Sequence, residues 1–598
     1  MIKVTDYIAK RLVEHGISDV FMISGGGAMH LNDSLGNHPA LTYWTNHHEQ
    51  ACAIAAEGYY RANGKMALVN VTSGPGGLNC LTGVMGQWTD SIPVLYISGQ
   101  VKYETTINSC PSIGLRQLGD QEVDIISIVK PLTKYAVTLD KPGQVKQVLD
   151  QAIHLATTGR MGPVWIDIPL NVQGAVISED SLEEFQCEDG LSADQEAETG
   201  RKVTEVVSLL QKSKRPVIVA GHGIRLSGGQ VAFRKLIDKL NIPVVTTFNG
   251  TDLIATDHPG YAGRIGTLGN RSGNFVLQNA DLVLSLGSRN NIRQASYNWQ
   301  NFAHKAVKVI VDIDQSELDK PTVRPDVPVL ADVKIFCEQM SDHLKTVSVP
   351  DFSDWMSWAR ARLVKYPSVL PEYKESVLIH PYYFLKRLTE MMSPDGVLVA
   401  GNGTACVATF QAGEVKEGQR LFWNSGCAAM GYDLPASIGA CIAMGGRDVI
   451  CLAGDGSLQM NIQELQTVKH FNLPVKLFYL NNAGYISIRQ TQDNFFEGRR
   501  VACDQGSGVS FPDIIRLAEA YDISAVSLRT TADIDSKLED ILKSEGAVVC
   551  EVVLRTDYIF SPKVSSEKLP DGRMISKPLE DMFPFLERNE YNSNIVLT

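Results

Sequence analysis

The chain has 598 residues, which is too long for one hydrophobic core and predicts about two to four domains. Its formal net charge of −12 argues against a nucleic-acid or anionic-membrane partner, because such surfaces require a basic face. No apolar run approaches the roughly 20 residues that span a bilayer, and the amino-terminal segment predicts an amphipathic helix instead of a signal peptide. Eleven cysteines without a CxxC pair are typical of reduced, buried thiols, so we expect a cytoplasmic protein.

Strand-length apolar runs alternate with helical stretches in three successive blocks. The first block contains "VFMIS", "MALVNVTSG", "PVLYISG" and "PVWIDIP", and an acidic segment at 178–200 then predicts an exposed linker. The second block opens at "RPVIVAGHG", and a second predicted linker at 366–376 precedes the third. Such alternation predicts the α/β class, with three doubly wound parallel-sheet domains. The predicted boundaries are 1–175, 195–345 and 378–560, followed by a proline-rich, weakly structured tail at 561–598.

The third block contains the most informative stretch, "GDGSLQMNIQELQTVKHFNLPVKLFYLNNAG" at 454–484. A strand-length run at 448–454 ends on the first glycine, and another at 475–482 ends on the asparagine pair. Between them, apolar residues recur at three- and four-residue steps, which predicts one amphipathic helix. Strand, helix and strand form a βαβ unit, whose two strands are parallel and close in space.

This unit predicts a ligand site at its strand ends. Asp455 and Asn482 should lie together at the carboxyl ends of the two strands, beside a helix N-terminus. Their oxygens suit a hard cation such as Mg²⁺, and free N–H groups of Gly456 and Ser457 suit a phosphate. The pattern therefore predicts a site for a metal-bridged diphosphate.

A GDG followed by 24 residues and then NN resembles the signature of thiamine-diphosphate enzymes. A lone GDG or NN is usually a turn, but this spacing on a predicted strand–helix–strand is much rarer by chance. The resemblance implies that Asp455, Asn482 and the backbone of Gly484 bind Mg²⁺.

The first block resembles the acetohydroxyacid (acetolactate) synthase group. "TNHHEQACAIAAEGYYRANGK" at 45–65 is similar to the RHEQ-type segment, which implies that Glu49 is the catalytic glutamate that hydrogen-bonds N1′ of the aminopyrimidine. Outside this context Glu49 would be an ordinary solvated helix residue. "SGGGAMHLNDSL" is similar to the PGGA segment and implies a cofactor contact at Gly26, while "QEVDIISIVKPLTKYA" resembles the FQE segment and implies that Gln121 lies beside the substrate.

The resemblance covers essentially the whole chain. "GNGTACVATFQ" implies that Asn402 and Gly403 contact the diphosphate, and "CAAMGYDLPASIGA" implies that Met430 supports the bent cofactor while the carbonyl of Ala428 accepts from its 4′-amino group. Ile486 is a further implied cofactor contact. The three blocks then correspond to a pyrimidine-binding, a central FAD/nucleotide-binding-like and a diphosphate-binding domain, and the tail becomes a candidate active-site lid.

The second block resembles the flavin-binding segments of these synthases. Arginines of its GxRxxxR pattern can pair with a diphosphate, and FAD is therefore an implied, structural cofactor, since carboligation has no net redox step. The alternative remains that such a domain has lost its nucleotide and that its glycines only form turns. The implied contacts are Gly221, Gly223, Thr247, Gly266, Gly287, Arg289, Arg293, Asp312 and Asp332.

The resemblance implies a carboligase that decarboxylates pyruvate and transfers the two-carbon unit to a ketone or keto-sugar acceptor. Related decarboxylases commonly carry a glutamate four residues after the glycine equivalent to Gly484; Ile488 stands here, which favours carboligation. Asp120, Ser487 and Thr491 replace phenylalanine, methionine and tryptophan, so the acceptor side is smaller or more polar. The nearest pattern is the branch of carboligases associated with bacterial polysaccharide and branched-sugar biosynthesis.

Other interpretations remain open at this point. If Asp120 points inward, it repels a second 2-oxo acid and favours a neutral or hydroxylated ketone; if it points outward or pairs with Arg116, it has no bearing on the acceptor. A flavin-dependent pyruvate oxidase shares the fold and both cofactors. A catalytically silent nucleotide-binding subunit is disfavoured by the intact Glu49, Asp455 and Asn482. Glu49 and Asp455 lie in separate domains, and in the resembling enzymes the site forms between the first block of one chain and the third of another, so the resemblance implies a homodimer or homotetramer.

Overall fold

The structure is a computed structural model that describes residues 1–186, 193–568 and 571–596. Its described part contains three six-stranded sheets with only parallel pairings, and helices flank each sheet, which confirms the predicted fold class. The inner strands of each sheet are buried along nearly their whole length, as expected where helices cover both faces of a parallel sheet, whereas several edge strands are partly exposed. None of the described helices is long and apolar enough to cross a membrane.

The first domain has the strand order β3-β2-β4-β5-β7-β6, and β1 pairs with β8 in a separate two-stranded sheet. Its strands are β1 Ile2–Lys3, β2 Asp19–Met22, β3 Thr42–Thr45, β4 Leu68–Val71, β5 Leu95–Gln100, β6 Tyr135–Thr138, β7 Val164–Pro169 and β8 Val176–Ile177. Its helices are α1 Val4–Glu14, α2 Met29–Asn37, α3 Glu49–Asn63, α4 Pro75–Asn79, α5 Leu81–Asp90, α6 Ile125–Val129, α7 Val145–Thr157 and α8 Leu170–Gln173.

The central domain has the order β11-β10-β9-β12-β13-β14. Its strands are β9 Pro216–Ala220, β10 Val244–Thr246, β11 Tyr261–Arg264, β12 Leu282–Leu286, β13 Val307–Asp312 and β14 Val327–Leu330. Its helices are α9 Ala193–Lys212, α10 Gly223–Leu226, α11 Gln230–Leu240, α12 Arg271–Asn279, α13 Ile292–Ala295, α14 Gln315–Asp319, α15 Val333–His343 and α16 Ser353–Lys365.

The third domain has the order β16-β15-β17-β18-β20-β19. Its helices are α17 Pro371–Glu375, α18 Pro381–Met391, α19 Thr404–Ala412, α20 Asp433–Ala443, α21 Asp455–Gln459, α22 Leu465–His470, α23 Ile486–Phe495, α24 Ile514–Ala520 and α25 Thr531–Lys543. Its strands are β15 Val397–Ala400, β16 Arg420–Phe422, β17 Val449–Gly454, β18 Val475–Asn481, β19 Ser524–Leu528 and β20 Val548–Val553.

The first and third domains share one hydrophobic core because α3 packs against α20. Glycines permit this close crossing: a Cβ on Gly58 would overlap the carbonyl of Ala436, and a Cβ on Gly439 would overlap that of Ala55. The two domains also have equivalent strand orders, so these helices occupy equivalent places in the two sheets.

The expected linker at 178–200 is mostly exposed where it is described, whereas the expectation of a weakly structured tail is wrong. The predicted linker at 178–200 is already helical from Ala193, where α9 begins, while its residues 187–192 lie outside the described ranges. The tail is not weakly structured: it forms the hairpin strands β21 Ser566–Lys568 and β22 Met574–Ser576 and the helix α26 Arg588–Ser593.

The tail packs on the central domain. Leu579 is buried in that domain's core, and Asn274 Nδ2 donates to its carbonyl at 2.9 Å. Arg271 Nη1 donates to the carbonyl of Met582 at 3.0 Å, and Asn279 Nδ2 donates to that of Asn594 at 2.9 Å. Sequence composition missed this docking because the contacts join residues about 300 positions apart.

Candidate active site

Asp455 lies where the βαβ interpretation predicts it, at the carboxyl end of β17, which pairs in parallel with β18. Its Oδ2 accepts from the N–H groups of Asn482 at 3.1 Å and Gly484 at 2.9 Å, and its Oδ1 accepts from Gly456 N–H at 2.9 Å. Burial raises the pKa of Asp455 to about 6, although the three N–H donors oppose that shift. The structure thus brings Asp455, Asn482 and Gly484 together.

One detail of this unit differs from the sequence prediction. The N–H of Gly456 is not free, because it donates to Asp455. A Cβ on Gly456 would overlap the ring of Tyr485, so the turn requires glycine. The Ser457 hydroxyl is also engaged, donating to Asp433 at 2.5 Å and accepting from Gly431 N–H at 2.9 Å.

The predicted single helix between the strands is broken into α21, a short 3-10 turn at Ile462–Glu464 and α22. At the break, side chains of this segment form hydrogen bonds with the first domain. Asn461 Nδ2 donates to Gln50 Oε1 at 2.9 Å, and Glu464 accepts from Asn46 Nδ2 and His47 N–H, both at 2.9 Å. Helical periodicity could not show this, because the competing hydrogen-bond partners lie about 400 residues away in sequence.

Asn482 has partners that sequence reasoning missed. The Tyr558 hydroxyl donates to its Oδ1 at 2.8 Å, and Arg489 Nη2 donates to its carbonyl at 2.6 Å. Tyr558 also shares a hydrogen bond of 2.5 Å with the hydroxyl of Thr404. No local pattern marks Tyr558 or Arg489, since each acts through a contact between separate elements.

Three of the five other predicted third-domain contacts, Asn402, Gly403 and Ala428, line an adjacent pocket of about 350 Å³. Asn402 Nδ2 donates to the carbonyl of Ala429 at 2.5 Å, and Ala428 is exposed with a φ of 57°. Met430 and Ile486 do not line this pocket; Met430 is half-buried, and Ile486 is buried in the domain core.

The first-domain candidates gather around the turn after β4. Asn79 Nδ2 donates to Glu49 Oε2 at 2.9 Å, and a Cβ on Gly76 would lie 3.7 Å from Glu49 Oε1. The carbonyl of Gln121 covers the neighbouring Gly74, which a side chain there would overlap. In the described part of the chain no hydrogen bond or ion pair joins Glu49 to Asp455.

The remaining first-domain candidates are open to solvent. Gln121 is exposed with a φ of 59°, and Asp120 beside it is exposed and absent from the described walls of the third-domain pocket. Gly26 is exposed in the 3-10 turn Gly26–Ala28, next to Gly27, whose N–H donates to Thr72 Oγ1 at 3.1 Å. His48, a residue easily mistaken for a metal ligand, caps α3 by accepting from Gln50 N–H at 3.0 Å.

Seven of the nine predicted flavin contacts line a single cavity of about 260 Å³ in the central domain: Gly223, Thr247, Gly287, Arg289, Arg293, Asp312 and Asp332. Gly221 and Gly266 do not line it. A Cβ on Gly221 would overlap Ser288 Cα, and Gly266 has a φ of 118°, so these two glycines permit the local backbone path. The first domain adds residues 89–91, 157 and 159–161 to the walls, and the third domain adds Ser425.

The chemistry of this cavity is compatible with a polar ligand. Both ring nitrogens of His222 are buried without a partner in the described residues, and burial holds the pKa of His222 well below its ordinary value. Burial also raises the pKa of Asp312 to about 6. Two residues have structural duties as well: Asp332 caps α15 by accepting from Lys334 N–H at 2.7 Å, and Arg289 donates to the carbonyl of Thr89.

The donor set at Asp455 fits one hard cation that is also held by a ligand oxygen. It offers one carboxylate, one amide oxygen and one backbone carbonyl, the oxygen types that Mg²⁺ prefers when a diphosphate completes its shell. Within 1–186, 193–568 and 571–596, no group of three His, Cys, Asp or Glu side chains forms an independent metal cluster.

Comparisons with known protein families agree with this geometry. Residues 2–128 match the thiamine pyrophosphate enzyme N-terminal TPP binding domain, residues 203–340 the central domain, and residues 401–552 the C-terminal TPP binding domain. The fold and the paired strand-end site therefore define a thiamine pyrophosphate-dependent enzyme.

Full-length relatives narrow the class. The chain is 31% identical to the acetolactate synthase large subunit of Lactococcus lactis, with 92% of each chain covered. It is 29% identical to the acetolactate synthase isozyme 3 large subunit of Escherichia coli, covering 91% of this chain and 92% of that one. A large subunit from Cyanidium caldarium is also 29% identical, with 93% and 94% covered. The chain belongs to the acetolactate synthase-like group of the thiamine pyrophosphate enzymes.

Proposed function

We propose that this enzyme is a Mg²⁺-dependent carboligase that decarboxylates pyruvate and transfers the two-carbon unit to a ketone or keto-sugar acceptor. The observation that carries the proposal is the buried cluster of Asp455, Asn482 and Gly484 beside an open pocket of about 350 Å³. In this proposal residues 1–175 bind the pyrimidine, 195–345 a nucleotide and 378–560 the diphosphate, while the tail at 561–598 begins in the pocket wall as a lid.

The third domain holds the metal and the diphosphate. Oxygens of Asp455 and Asn482 and the carbonyl of Gly484 bind Mg²⁺, and Gly456 and Ser457 bring the chain backbone against the phosphates. Thiamine diphosphate, when bound, supplies an electron sink for the bond to the departing CO₂. The Tyr558 hydroxyl donates to Asn482 Oδ1 and keeps the amide oxygen oriented, as a supporting hydrogen bond does for a metal ligand.

The first domain supplies the residue that transfers a proton. Glu49 starts α3, so its carboxylate sits at the positive end of the helix dipole, and Asn79 fixes its orientation through Oε2. Its carboxyl group exchanges a proton with N1′ of the aminopyrimidine. Gln121, beside the same turn, orients the substrate.

The helix after Gly484 favours carbon–carbon bond formation. Ile488, on α23, replaces the acid that delivers a proton in related decarboxylases and is 44% exposed. Ser487 and Thr491 face the pocket from the same helix. Because Ile488 cannot donate a proton, it would not protonate a two-carbon unit held at this site, which would leave that unit available to an acceptor carbonyl.

The central cavity binds FAD as a structural cofactor in this proposal. Gly287 has a φ of 54°, and a Cβ there would lie 2.8 Å from Gly223 Cα, so two backbone segments meet at a turn that a nucleotide can approach. Arg289 and Arg293 supply positive charge, and His222 supplies unpartnered ring nitrogens. Flavin absorbance in the purified protein, and its loss in Gly287→Val, test this part.

A second copy of the chain completes the active site as a homodimer or homotetramer. Leu78 exposes apolar surface on α4 next to Asn79, the partner of Glu49, and Met85 and Trp88 extend that surface along α5. Apolar surface beside an incomplete site suits a partner subunit. The presence of Glu49 and Asp455 in different domains supports the same arrangement.

The decisive experiment supplies thiamine diphosphate, Mg²⁺ and labelled pyruvate to the purified protein, with and without candidate keto-sugar acceptors, and identifies products by mass spectrometry. Acceptor-dependent transfer of the labelled two-carbon unit is the expected result. Stoichiometric reduction of bound flavin by pyruvate would replace the proposal with a pyruvate oxidase. Absence of any turnover would favour a catalytically silent nucleotide-binding subunit.

A further inference from the structure

One buried acid lies in the segment that carries Gln121, between β5 and α6. This 101–122 segment forms three short 3-10 turns and is mostly exposed, yet Glu122 is only 7% exposed. In the described part of the chain no lysine, arginine or histidine forms an ion pair with its carboxylate. A buried carboxylate without a cation is costly unless hydrogen bonds replace the water it has lost. The hydrogen-bond donors to Glu122 therefore indicate what this residue does.

Three backbone N–H groups of the same segment donate to the carboxylate of Glu122. The N–H of Ile107 donates to Oε1, and the N–H groups of Leu118 and Gly119 donate to Oε2 at 2.9 and 3.0 Å. Gln117 Nε2 also donates to the carbonyl of Glu122 at 3.1 Å. Hydrogen bonds to an ionised acceptor are roughly twice as strong as neutral ones. One side chain thus joins the early and the late part of the segment and closes it on itself.

The early and late parts of the segment are also in direct contact. A Cβ on Gly119 would lie 2.7 Å from the carbonyl oxygen of Thr105, so the chains approach this closely only because a glycine stands there. Thr106, the next residue, is buried, and its hydroxyl donates to the carbonyl of Tyr103 at 2.7 Å. The carboxylate of Glu122 therefore holds together a compact segment instead of bridging an open loop.

Gln121, next to Glu122, has an unfavourable backbone conformation. Its φ of 59° lies in the left-handed region, which persists for a residue other than glycine only where the surroundings impose it. The carbonyl of Gln121 lies against Gly74, where an added Cβ would overlap it. Gly74 belongs to the turn that approaches Glu49 through Gly76. The closed segment thus fixes the backbone of Gln121 beside the first-domain part of the candidate site.

We propose that Glu122 is a positioning residue, which keeps the 101–122 segment closed so that the side-chain amide of Gln121 meets the substrate in one orientation. The inference rests on the proposed function, in which Gln121 orients the substrate, and it names the group that fixes Gln121. Glu122 does not bind the substrate itself, because backbone N–H groups of its own segment occupy both of its carboxylate oxygens.

The first measurement is amide hydrogen exchange of the protein without cofactor. Glu122→Ala removes the acceptor of three N–H groups, so peptides that cover 101–122 should exchange at least about tenfold faster. Glu122→Gln keeps one acceptor oxygen and should have a smaller effect. Peptides that cover α20 should exchange at the normal rate. A loss of protection throughout the first domain would overturn the inference in favour of a general role in folding.

The second measurement is binding of methyl acetylphosphonate, a pyruvate analogue that cannot release CO₂, to the protein loaded with thiamine diphosphate and Mg²⁺. Glu122→Ala should weaken this binding about ten- to a hundredfold, because a misplaced group loses most of its effect on the bound molecule. Glu122→Gln should lose less. Thiamine diphosphate affinity and deuterium exchange at its C2 should stay normal, because the proposed function assigns them to Asp455 and Glu49. A general structural defect would not produce this separation.

Two further variants test whether Glu122 acts through Gln121. Glu104→Ala removes an exposed carboxylate of the same segment, whose side chain has no hydrogen bond or ion pair in the described residues, and should behave like the unmodified protein. Gln121→Ala should weaken analogue binding about as much as Glu122→Ala does. The double variant should lose little more than either single one, because both changes remove the same contact.

Three outcomes would overturn the inference: unchanged exchange of the 101–122 peptides in Glu122→Ala, unchanged analogue affinity in that variant, or additive losses in the double variant. Unchanged affinity in Gln121→Ala would overturn both the inference and the proposed role of Gln121. Release of labelled CO₂ from pyruvate by the unmodified protein is measured separately. Its absence contradicts the proposed function, whereas normal release with unchanged analogue binding in Glu122→Ala contradicts only the inference.

Discussion

The first and third domains offer a direct comparison, because their sheets have equivalent strand orders and their helices α3 and α20 occupy equivalent places. Each helix begins with an acid, Glu49 in α3 and Asp433 in α20. Asp433 is fully buried and accepts from the Ser457 hydroxyl, and burial raises the pKa of Asp433 to about 6. Glu49 is only half-buried and faces the turn that carries Asn79.

The turns that follow the equivalent strands β4 and β17 differ in the same way. The turn after β17 carries Asp455, which is sealed by three backbone N–H donors of its own chain. The turn after β4 carries no acid and instead packs beside Glu49, with exposed apolar side chains around it. The third-domain part of the candidate site is therefore closed by groups of one chain, whereas the first-domain part is open. We expect a second copy of the chain to cover the open part.

The largest expected effect comes from removing the carboxylate of Asp455 in the third domain. Asp455→Ala should lower Mg²⁺-dependent affinity for thiamine diphosphate at least about 100-fold, because the cation loses its only charged protein ligand. Calorimetry with and without Mg²⁺ measures this. Asp395→Ala is the control, since Asp395 pairs with Arg447 on the surface and its side chain is 68% exposed. Unchanged affinity in Asp455→Ala would show that the strand-end site is not the metal site.

A change at Glu49 in the first domain should leave thiamine diphosphate binding intact and should stop proton transfer. Glu49→Gln should slow deuterium exchange at C2 of bound thiamine by roughly a hundredfold to ten-thousandfold, because an amide cannot exchange a proton with N1′. Glu14→Gln, at an exposed glutamate in α1, should exchange at the normal rate. Exchange at the normal rate in Glu49→Gln would remove this residue from the mechanism.

The comparison also predicts where the second copy binds. Met85→Asp places a charge in the exposed apolar surface of α5, so the assembly should dissociate and activity should depend on protein concentration. Sedimentation velocity and a dilution series of activity measure both effects. Val364→Asp, at an 81% exposed valine on α16, should leave assembly unchanged. A fully active monomer would contradict the shared site.

Sequence alone predicted the parts of this molecule that depend on local pattern. The apolar runs at 448–454 and 475–482 predicted β17 and β18, and parallel pairing then required Asp455 and Asn482 to meet, which they do. The family resemblance added residues such as Glu49 and Gln121, because a single glutamate or glutamine does not by itself indicate a functional site. Their roles stay predictions.

The rest could not be predicted because it depends on contacts between distant segments. The helix after Asp455 breaks where Asn461 and Glu464 bind the first domain. Tyr558 contacts Asn482 from the end of the third domain, and Lys563 lines the pocket from a tail whose composition predicted little structure. A single sequence shows the hydrophobic periodicity and the residues that favour turns. It does not show which distant group a side chain will hydrogen-bond.

A final pair of acids sharpens the comparison of the two domains. Asp167 is the fourth residue of β7, and Glu551 is the fourth residue of the equivalent strand β20. Glu551 accepts from Ser527 and Asn481, both at 2.9 Å, and pairs with Arg529 at 3.3 Å. Asp167 accepts from Ser98 at 2.5 Å and Gln100 at 3.2 Å, and no cation pairs with it in the described residues.

This difference predicts a pH effect on stability. Burial raises the pKa of Asp167 from 3.8 to about 7, so the folded protein binds a proton that the unfolded chain releases. The stabilisation is fully present below pH 3.8 and is lost as the pH rises through about 7. The loss amounts to on the order of 4 kcal/mol, because each unit of pKa difference corresponds to about 1.4 kcal/mol.

Asp167→Asn should remove this dependence, since an amide has no proton to release over that range. Its melting temperature relative to the unmodified protein should rise between pH 4 and 7 and then level off. Glu551→Gln should lower stability at neutral pH, because the amide keeps one acceptor oxygen for the two donors Ser527 and Asn481. Thermal melting of both variants across this range, with activity measured in parallel, checks the sign. If the melting temperatures of Asp167→Asn and of the unmodified protein change with pH in the same way, Asp167 stays ionised in the folded state. The acids of the two equivalent strands would then both be ionised.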